Sequence, residues 1–134
     1  MSFMAGEPAR NKWYVPSCVY TKPEIASVGL TEAQAKEEYD EVLIAKYSLK
    51  GNGKAVIAGE DSGFVKFVAR PDGKVLGVHL IGPQATELIS SATLALEQGL
   101  TLKEWSAVIY PHPTVSEALK ETVLSGLGIG LHSL

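Results

Sequence analysis

The chain has 134 residues with a formal net charge of −3, and 46% of its residues are hydrophobic. A chain of this length forms one domain that buries roughly two-thirds of its unfolded surface, so it needs no disulfide or metal to fold. The composition excludes a nucleic-acid-binding protein with a basic face, and no apolar run approaches the roughly 20 residues of a membrane span. Because the first residues lack the basic and apolar regions of a signal peptide, we expect a cytoplasmic protein.

The first half of the chain is predicted to alternate short strands with one helix. β-branched and aromatic residues predict strands over residues 13–20, 25–30 and 41–49. Thr31 and Gln34 form a capping-box pattern at the start of a helix that ends at about Tyr39. Gly51-Asn52-Gly53 is a turn signal, and the short apolar segment after it, residues 54–58, has no assigned type.

The single cysteine, Cys18, lies in the first predicted strand. It excludes an internal disulfide and a cysteine-rich zinc site. No cation or helix N-terminus is adjacent to it in the sequence, so we interpret it as a small buried hydrophobic residue rather than a reactive thiol. The three histidines, His79, His112 and His132, have no ligand spacing either, and no metal site is predicted.

The second half contains the clearest tertiary signal, a β-hairpin. Residues 64–70 and 74–82 are rich in β-branched and aromatic side chains, and Pro71-Asp72-Gly73 between them is typical of a turn. Both strands are partly apolar on both faces, which predicts a central place in the sheet with cover on each side. His79 lies inside the second strand, and we interpret it as a structural histidine.

Three helices are predicted after the hairpin. The first spans residues 83–98 with Gly99 as its C-cap, and its small side chains predict packing against something flat or against a twin helix. Two shorter helices follow over residues 101–107, with a capping-box pattern at Thr101, and over residues 115–124. These elements predict an α+β domain with a mostly antiparallel sheet of about five strands and helices packed on it.

A histidine between two prolines, Pro111-His112-Pro113, comes just before the last helix. Proline fixes its own φ and restricts the preceding residue, so His112 sits on a preset, extended backbone. Glu117 can orient the ring and stabilise its charged form, which makes the two residues a candidate general acid/base pair. Thr114 and Glu117 also form a capping-box pattern, and spacing alone favours this structural role for Glu117. Capping does not explain His112.

The chain offers no chemical partner for this pair. Ser116 is close in sequence, but no strained nucleophile elbow surrounds it, so a small hydrolase using His112 is disfavoured. The spaced glycines of residues 125–131 follow a helix rather than a strand, so they do not form a dinucleotide fingerprint. A general base needs a nucleophile or a cofactor to complete an active site, and the sequence shows neither.

Four stretches of the chain carry a longer pattern: residues 15–32, Gly77-Val78-His79-Leu80-Ile81-Gly82, Ala85-Thr86-Glu87-Leu88-Ile89 and His112-Pro113-Thr114-Val115-Ser116-Glu117. In this order they resemble the C-terminal dimerisation domain of the pyridine nucleotide-disulfide oxidoreductases, and within that family most of all the dihydrolipoamide dehydrogenases. The resemblance implies a dimerisation domain over residues 12–125. Residues 1–11 would then be a tail or the remnant of a preceding domain, and residues 126–134 a flexible tail.

The resemblance implies a full-length flavoprotein that oxidises dihydrolipoamide with NAD, with FAD and NAD domains and a CxxxxC disulfide upstream. In its homodimer, His112 would reach the partner subunit's active site as the base, Glu117 would hold it, and the backbone at His112 and Pro113 would approach the flavin. The resemblance also implies a 2-oxo acid dehydrogenase complex as a partner. By itself this domain is expected to dimerise through the helix at residues 85–98 and the terminal region, to bind no cofactor and to be inactive.

Two further inferences accompany the resemblance. The double-proline context leads us to hypothesise that the His112–Pro113 peptide bond is cis. Among relatives, mercuric reductases and soluble transhydrogenases lack the histidine, whereas glutathione-type reductases keep the His–Glu pair and are the nearest competitor. Tyr110 stands where lipoamide enzymes commonly have another histidine, which loosens the substrate assignment. A non-catalytic dimerisation module is the remaining alternative.

Overall fold

The computed structural model describes residues 13–129, which form a five-stranded sheet with helices packed on it. The strands are β1 (Ser17–Val19), β2 (Glu24–Gly29), β3 (Leu43–Ser48), β4 (Phe64–Ala69) and β5 (Val75–Gly82). The helices are α1 (Glu32–Glu38), α2 (Gly53–Ile57), α3 (Ala85–Glu97), α4 (Leu102–Ser106) and α5 (Glu117–Gly126), with a 3-10 turn at Leu49–Gly51. The sheet order is β1-β2-β5-β4-β3 and every neighbouring pair is antiparallel, which confirms the predicted α+β class.

The predicted hairpin is formed by β4 and β5, and β5 is the central strand of the sheet. In its turn, the Gly73 N–H donates to the Arg70 carbonyl (2.8 Å). Gly73 has φ +92°, a left-handed conformation that glycine adopts without a steric penalty. The Asp72 carboxylate accepts from the Lys74 N–H (3.1 Å), so the side chain and backbone of the turn hold the two strands in register.

Both faces of the sheet are covered, because successive side chains along a strand point to opposite faces. Phe67 of β4 lies in the main core against Trp105 of α4, with ring centroids 4.8 Å apart, whereas Val68 lies in a smaller cluster with Ala35 of α1. Helix α3 packs on β2 and β5, and α5 packs on β3 and β4. The alanine face of α3, which includes Ala92, is therefore buried against the flat sheet rather than a twin helix.

Local hydrogen bonds at two helix starts agree with the predicted capping boxes. The Thr31 hydroxyl accepts from the Gln34 N–H (3.2 Å), and the Gln34 side-chain oxygen accepts from the Thr31 N–H (3.0 Å). Thr101 and Glu104 repeat this arrangement at α4, at 3.2 and 3.1 Å. Both pairs satisfy N–H groups that have no partner inside the helix.

Two side chains flagged in the sequence have structural roles. His79 lies on β5 with its Nε2 atom 2.9 Å from the Leu30 carbonyl oxygen, so it is the structural histidine that we predict. Cys18 is half-buried rather than buried, because β1 is a short edge strand of three residues and not the predicted span of residues 13–20. Its side chain still packs against the main core.

Two other segments differ from prediction. Residues 54–58, left without a type, are mostly helix α2, and the turn signal before them marks its start: the Asn52 Oδ1 atom accepts from the Ala55 N–H (2.9 Å). Helix α5 begins and ends later than the predicted residues 115–124. At its end the Ile129 N–H donates to the Leu124 carbonyl (2.9 Å), which closes the helix past Gly126.

The predicted domain limits at residues 12 and 125 stay predictions. Residues 1–12 and 130–134, with His132 among them, lie outside the described residues, and so does most of the predicted C-terminal tail. Within residues 13–129, none of the helices combines the length and apolar character needed to cross a bilayer.

Candidate acid/base site at His112

His112 lies in the segment of residues 107–116, which connects α4 to α5. A side chain from α5 holds the start of this segment. The Lys120 ammonium donates to the Val108 carbonyl (2.7 Å) and also contacts the Ser106 carbonyl at the end of α4. A cation near the last carbonyls of a helix is favourable, so Lys120 ties the connecting segment to both helices.

Tyr110 fixes the segment two residues before the histidine. Its hydroxyl accepts a hydrogen bond from the Trp105 Nε1–H (2.7 Å), and Trp105 packs against Phe67 in the core. Burial raises the pKa of Tyr110, although the Trp105 hydrogen bond acts in the opposite direction. The tyrosine is therefore an anchor between the core and His112.

The His112–Pro113 peptide bond is cis, as hypothesised. A second cis bond, between Lys22 and Pro23, was not predicted. His112 and Pro113 are both exposed, and no group among residues 13–129 donates a hydrogen bond to either carbonyl oxygen. The backbone at this point is open to contact with another molecule.

The His112 ring is paired with the carboxylate of Glu117. Its Nδ1 atom lies 2.9 Å from one carboxylate oxygen and 3.0 Å from the other. The histidine side chain is 80% exposed and that of Glu117 only 28%, so the carboxylate forms the inner member of the pair. The structure therefore brings together the two residues that the sequence predicts as an acid/base pair.

Glu117 also caps the helix, but only half of the predicted capping box forms. Its Oε1 atom accepts from the Thr114 N–H (2.9 Å). The Thr114 hydroxyl donates to the Pro111 carbonyl (2.7 Å) and lies 2.8 Å from the Ser116 hydroxyl, and no N–H of the first turn donates to it among the described hydrogen bonds. One carboxylate thus caps the backbone and orients His112 at the same time.

Hydrogen bonds determine the charge of Glu117. Partial burial of the carboxylate raises its pKa, but the bonds from His112 and from the Thr114 N–H outweigh burial, and the net pKa lies below the ordinary value of 4.5. An ionised carboxylate can only accept, so the His112 Nδ1 atom must carry the proton that is shared with it. In the neutral ring, Nε2 is then left with a free lone pair, as a general base requires.

A cavity of about 290 Å³ lies beside the pair, and its wall includes residues that the sequence does not mark as functional. Tyr47 comes from β3, Asn52 from the turn after it, and Glu121 from α5. One buried Glu121 carboxylate oxygen accepts no hydrogen bond from the described part of the chain. Glu121 could have been found from its spacing, because residues four apart share a helix face; Tyr47 and Asn52 are distant in sequence and carry no such signal.

We expect Tyr47 to ionise at an unusually high pH. Burial, together with the negative charges of Glu121 and Glu117, raises its pKa to about 12. The folded-state pKa lies above the unfolded value of about 10, so the stability that the neutral phenol contributes is complete below about pH 10 and is lost as the pH rises towards 12. An ultraviolet titration should show one tyrosinate forming near pH 12. Y47F should remove this component, Y20F at an exposed position should keep it, and its persistence in Y47F would show that another tyrosine is responsible.

The described residues contain no group of three histidine, cysteine, aspartate or glutamate side chains that could hold a metal ion.

The structure combines a five-stranded antiparallel sheet with a His112–Glu117 pair on an exposed segment. The chain belongs to the pyridine nucleotide-disulphide oxidoreductase dimerisation-domain family, whose model matches residues 15–123. This confirms the resemblance found in the sequence.

Individual relatives make the comparison more specific. The chain is 48% identical over 119 residues to a dihydrolipoyl dehydrogenase from Bacillus subtilis, and 44% identical over 119 residues to one from Rhizobium etli; each match covers 88% of this chain and 25% of the relative. The chain thus spans about a quarter of the length of these relatives.

Solved structures show the same fold. The crystal structure of LpdA from Mycobacterium tuberculosis matches with a TM-score of 0.76 and 28% identity, over 81% of this chain and 24% of that one. RclA from Escherichia coli, an HOCl-induced flavoprotein disulfide reductase, matches with a TM-score of 0.81 over 90% of this chain and 28% of that one. Its identity of 24% supports the fold alone.

Proposed function

We propose that this chain is the dimerisation domain of a dihydrolipoyl dehydrogenase, and that His112 and Glu117 serve as an acid/base pair for the partner subunit's active site. One observation carries the proposal: both Glu117 carboxylate oxygens lie within 3.0 Å of the His112 Nδ1 atom, while the histidine side chain is 80% exposed. The names of the relatives at 44–48% identity support the substrate, dihydrolipoamide.

The pair would handle the proton of a dithiol substrate. The His112 Nε2 lone pair takes the proton as the S–H bond breaks, which leaves a thiolate and a protonated imidazole. Glu117 stabilises that imidazolium through the hydrogen bond at Nδ1, and the proton is returned to solvent at the end of the cycle. FAD and the redox-active disulfide, which the rest of the enzyme would supply, would carry the electrons onward to NAD.

The exposed backbone at His112 and Pro113 fits a contact with the flavin of the partner subunit. Both carbonyl oxygens lack a donor among residues 13–129 and both residues are exposed, so they can approach a ring without losing internal hydrogen bonds. The FAD and NAD domains are expected upstream of this domain. We therefore expect this chain alone to bind neither cofactor and to be inactive.

Exposed apolar side chains beside His112 support a homodimer. Ile109 is 94% exposed and Val108 43% exposed, three and four residues before the histidine, and Leu94 is exposed on the outer face of α3. Contiguous exposed apolar patches typically mark a protein interface, and the adjacent side chains of Val108 and Ile109 would contribute to one. The dimer would bury this surface and bring His112 to the other subunit. Membership of a 2-oxo acid dehydrogenase complex and a cytoplasmic location remain predictions.

Mixed dimers of the full-length enzyme test whether the pair acts in trans. One subunit carries H112Q with an intact disulfide, and the other carries His112 with a serine variant of that disulfide. Each homodimer should be inactive with dihydrolipoamide, whereas the mixed dimer contains one complete site and should recover about half of the activity per dimer, by the geometry of a two-fold interface. A mixed dimer as inactive as both parents would rule out a histidine supplied by the partner.

The two alternatives make different predictions in the same enzyme. A glutathione-reductase-like enzyme would turn over glutathione disulfide in preference to dihydrolipoamide, and a non-catalytic module would belong to a protein without the redox disulfide. Steady-state assays with each substrate separate the first alternative, and the sequence upstream of this domain separates the second.

A further inference from the structure

Asn52 connects the turn after β3 to the segment that carries His112. It is only 4% exposed, one of the few buried polar side chains among the described residues. Its Oδ1 atom accepts from the Ala55 N–H (2.9 Å) at the start of α2, and its Nδ2 atom donates to the Thr114 carbonyl (3.1 Å). Because a backbone N–H must donate and a carbonyl must accept, these partners also fix the orientation of the amide.

Thr114 accepts this hydrogen bond from Asn52 and also contacts the acid/base pair. Its N–H donates to the Glu117 carboxylate (2.9 Å), while its carbonyl accepts from Asn52, so both polar groups of its backbone are engaged. Prolines have no N–H, so Pro111 and Pro113 cannot anchor the segment in this way. Thr114 is therefore the backbone anchor next to the histidine, and Asn52 holds it from the core side.

We propose that Asn52 is a positioning residue, which sets the geometry of His112 and Glu117 through the Thr114 backbone. The inference rests on the proposed function, since it assigns Asn52 a role in the same site. If Asn52 only capped α2, its loss would weaken the fold and leave the His–Glu contact unchanged. If it positions the pair, its loss weakens the contact between Nδ1 and the carboxylate.

The tautomer of neutral His112 distinguishes these roles in this 134-residue chain. N52S keeps an oxygen that caps α2, since serine is a good N-cap, but its shorter side chain has no amide to reach Thr114. S48A is the matched control: the Ser48 hydroxyl accepts from the Lys50 N–H (3.3 Å) in the same turn and has no contact with Thr114 among the described hydrogen bonds. Two-bond ¹⁵N–¹H spectra at alkaline pH report which ring nitrogen carries the proton.

In the wild type and in S48A, neutral His112 should be mainly the Nδ1–H tautomer, because Glu117 accepts that proton. In N52S the population should move towards Nε2–H. N52D, which also keeps a capping oxygen but faces the Thr114 carbonyl with another acceptor, should show the same change and serves if N52S is too unstable to measure. A folded N52S or N52D protein with the wild-type tautomer population would overturn the inference.

The full-length enzyme gives an independent readout. N52S should lower kcat with dihydrolipoamide by roughly 10- to 100-fold, since small displacements of a catalytic group reduce rates on this scale, while reduction of an artificial dye by NADH stays unchanged. An N52S enzyme with wild-type kcat would also contradict the inference. The tautomer experiment involves neither flavin nor substrate. If turnover proved independent of His112, the proposed function would fail, while the tautomer result would still decide whether Asn52 holds the pair.

Discussion

H112Q in the full-length enzyme should lower kcat with dihydrolipoamide by roughly 10²- to 10⁴-fold, the usual contribution of a general base. Glutamine keeps a polar side chain of similar reach but cannot take up a proton at neutral pH. The exposed ring makes few packing contacts that the substitution would remove, so the folded state should be preserved. The measurement is steady-state turnover, with thermal unfolding of the same protein as a check on stability.

Two comparisons make the H112Q result specific. Reduction of an artificial dye by NADH needs no proton from a thiol, so it should stay within a few-fold of the wild type by the same reasoning. E117Q removes the carboxylate but leaves the imidazole, so it should reduce turnover less than H112Q does. Wild-type turnover in H112Q, or an equal loss of dye reduction, would contradict the acid/base assignment.

The candidate site was predictable from sequence to the extent that it is local. Pro111-His112-Pro113 and Glu117 lie within seven residues, so the sequence offers a candidate pair, although spacing alone favours capping for Glu117. The cis bond was hypothesised from the same proline context. Spacing could not show that Glu117 performs both roles, because this depends on the carboxylate lying within hydrogen-bond distance of both the Thr114 N–H and the His112 ring. Asn52 is 62 residues from its partner, and only the folded chain places them together.

The fold shows the same division between local and distant information. The turn chemistry at Gly73 and the capping boxes at α1 and α4 act over three or four residues, and each formed as expected. The order of the strands and the half-buried environment of Cys18 depend on which segments become neighbours. In the same way, the small residues of α3 favour close packing without identifying the surface that they contact.

F67A should have the largest effect on the stability of this chain. Phe67 is fully buried at the centre of β4, and its ring packs against Trp105 at 4.8 Å between centroids. Removing a buried phenylalanine side chain costs about 3–5 kcal/mol, because transfer energy is lost and a cavity remains. A domain of this size has a free energy of unfolding of about 5–15 kcal/mol, so F67A should lose from about one-fifth of its stability to all of it. Urea unfolding monitored by tryptophan fluorescence measures the change.

The effect of F67A should extend from the core to the acid/base pair. Trp105 donates to Tyr110, which stands two residues before His112, so a Trp105 ring that loses its support would loosen this anchor. F67L is the matched control: it keeps most of the apolar volume, so it should be less destabilising than F67A. If F67A and F67L proved equally stable, the Phe67–Trp105 contact would not be the support proposed for it. If F67A stayed folded with the wild-type tautomer of His112, packing in the core would not be coupled to the site.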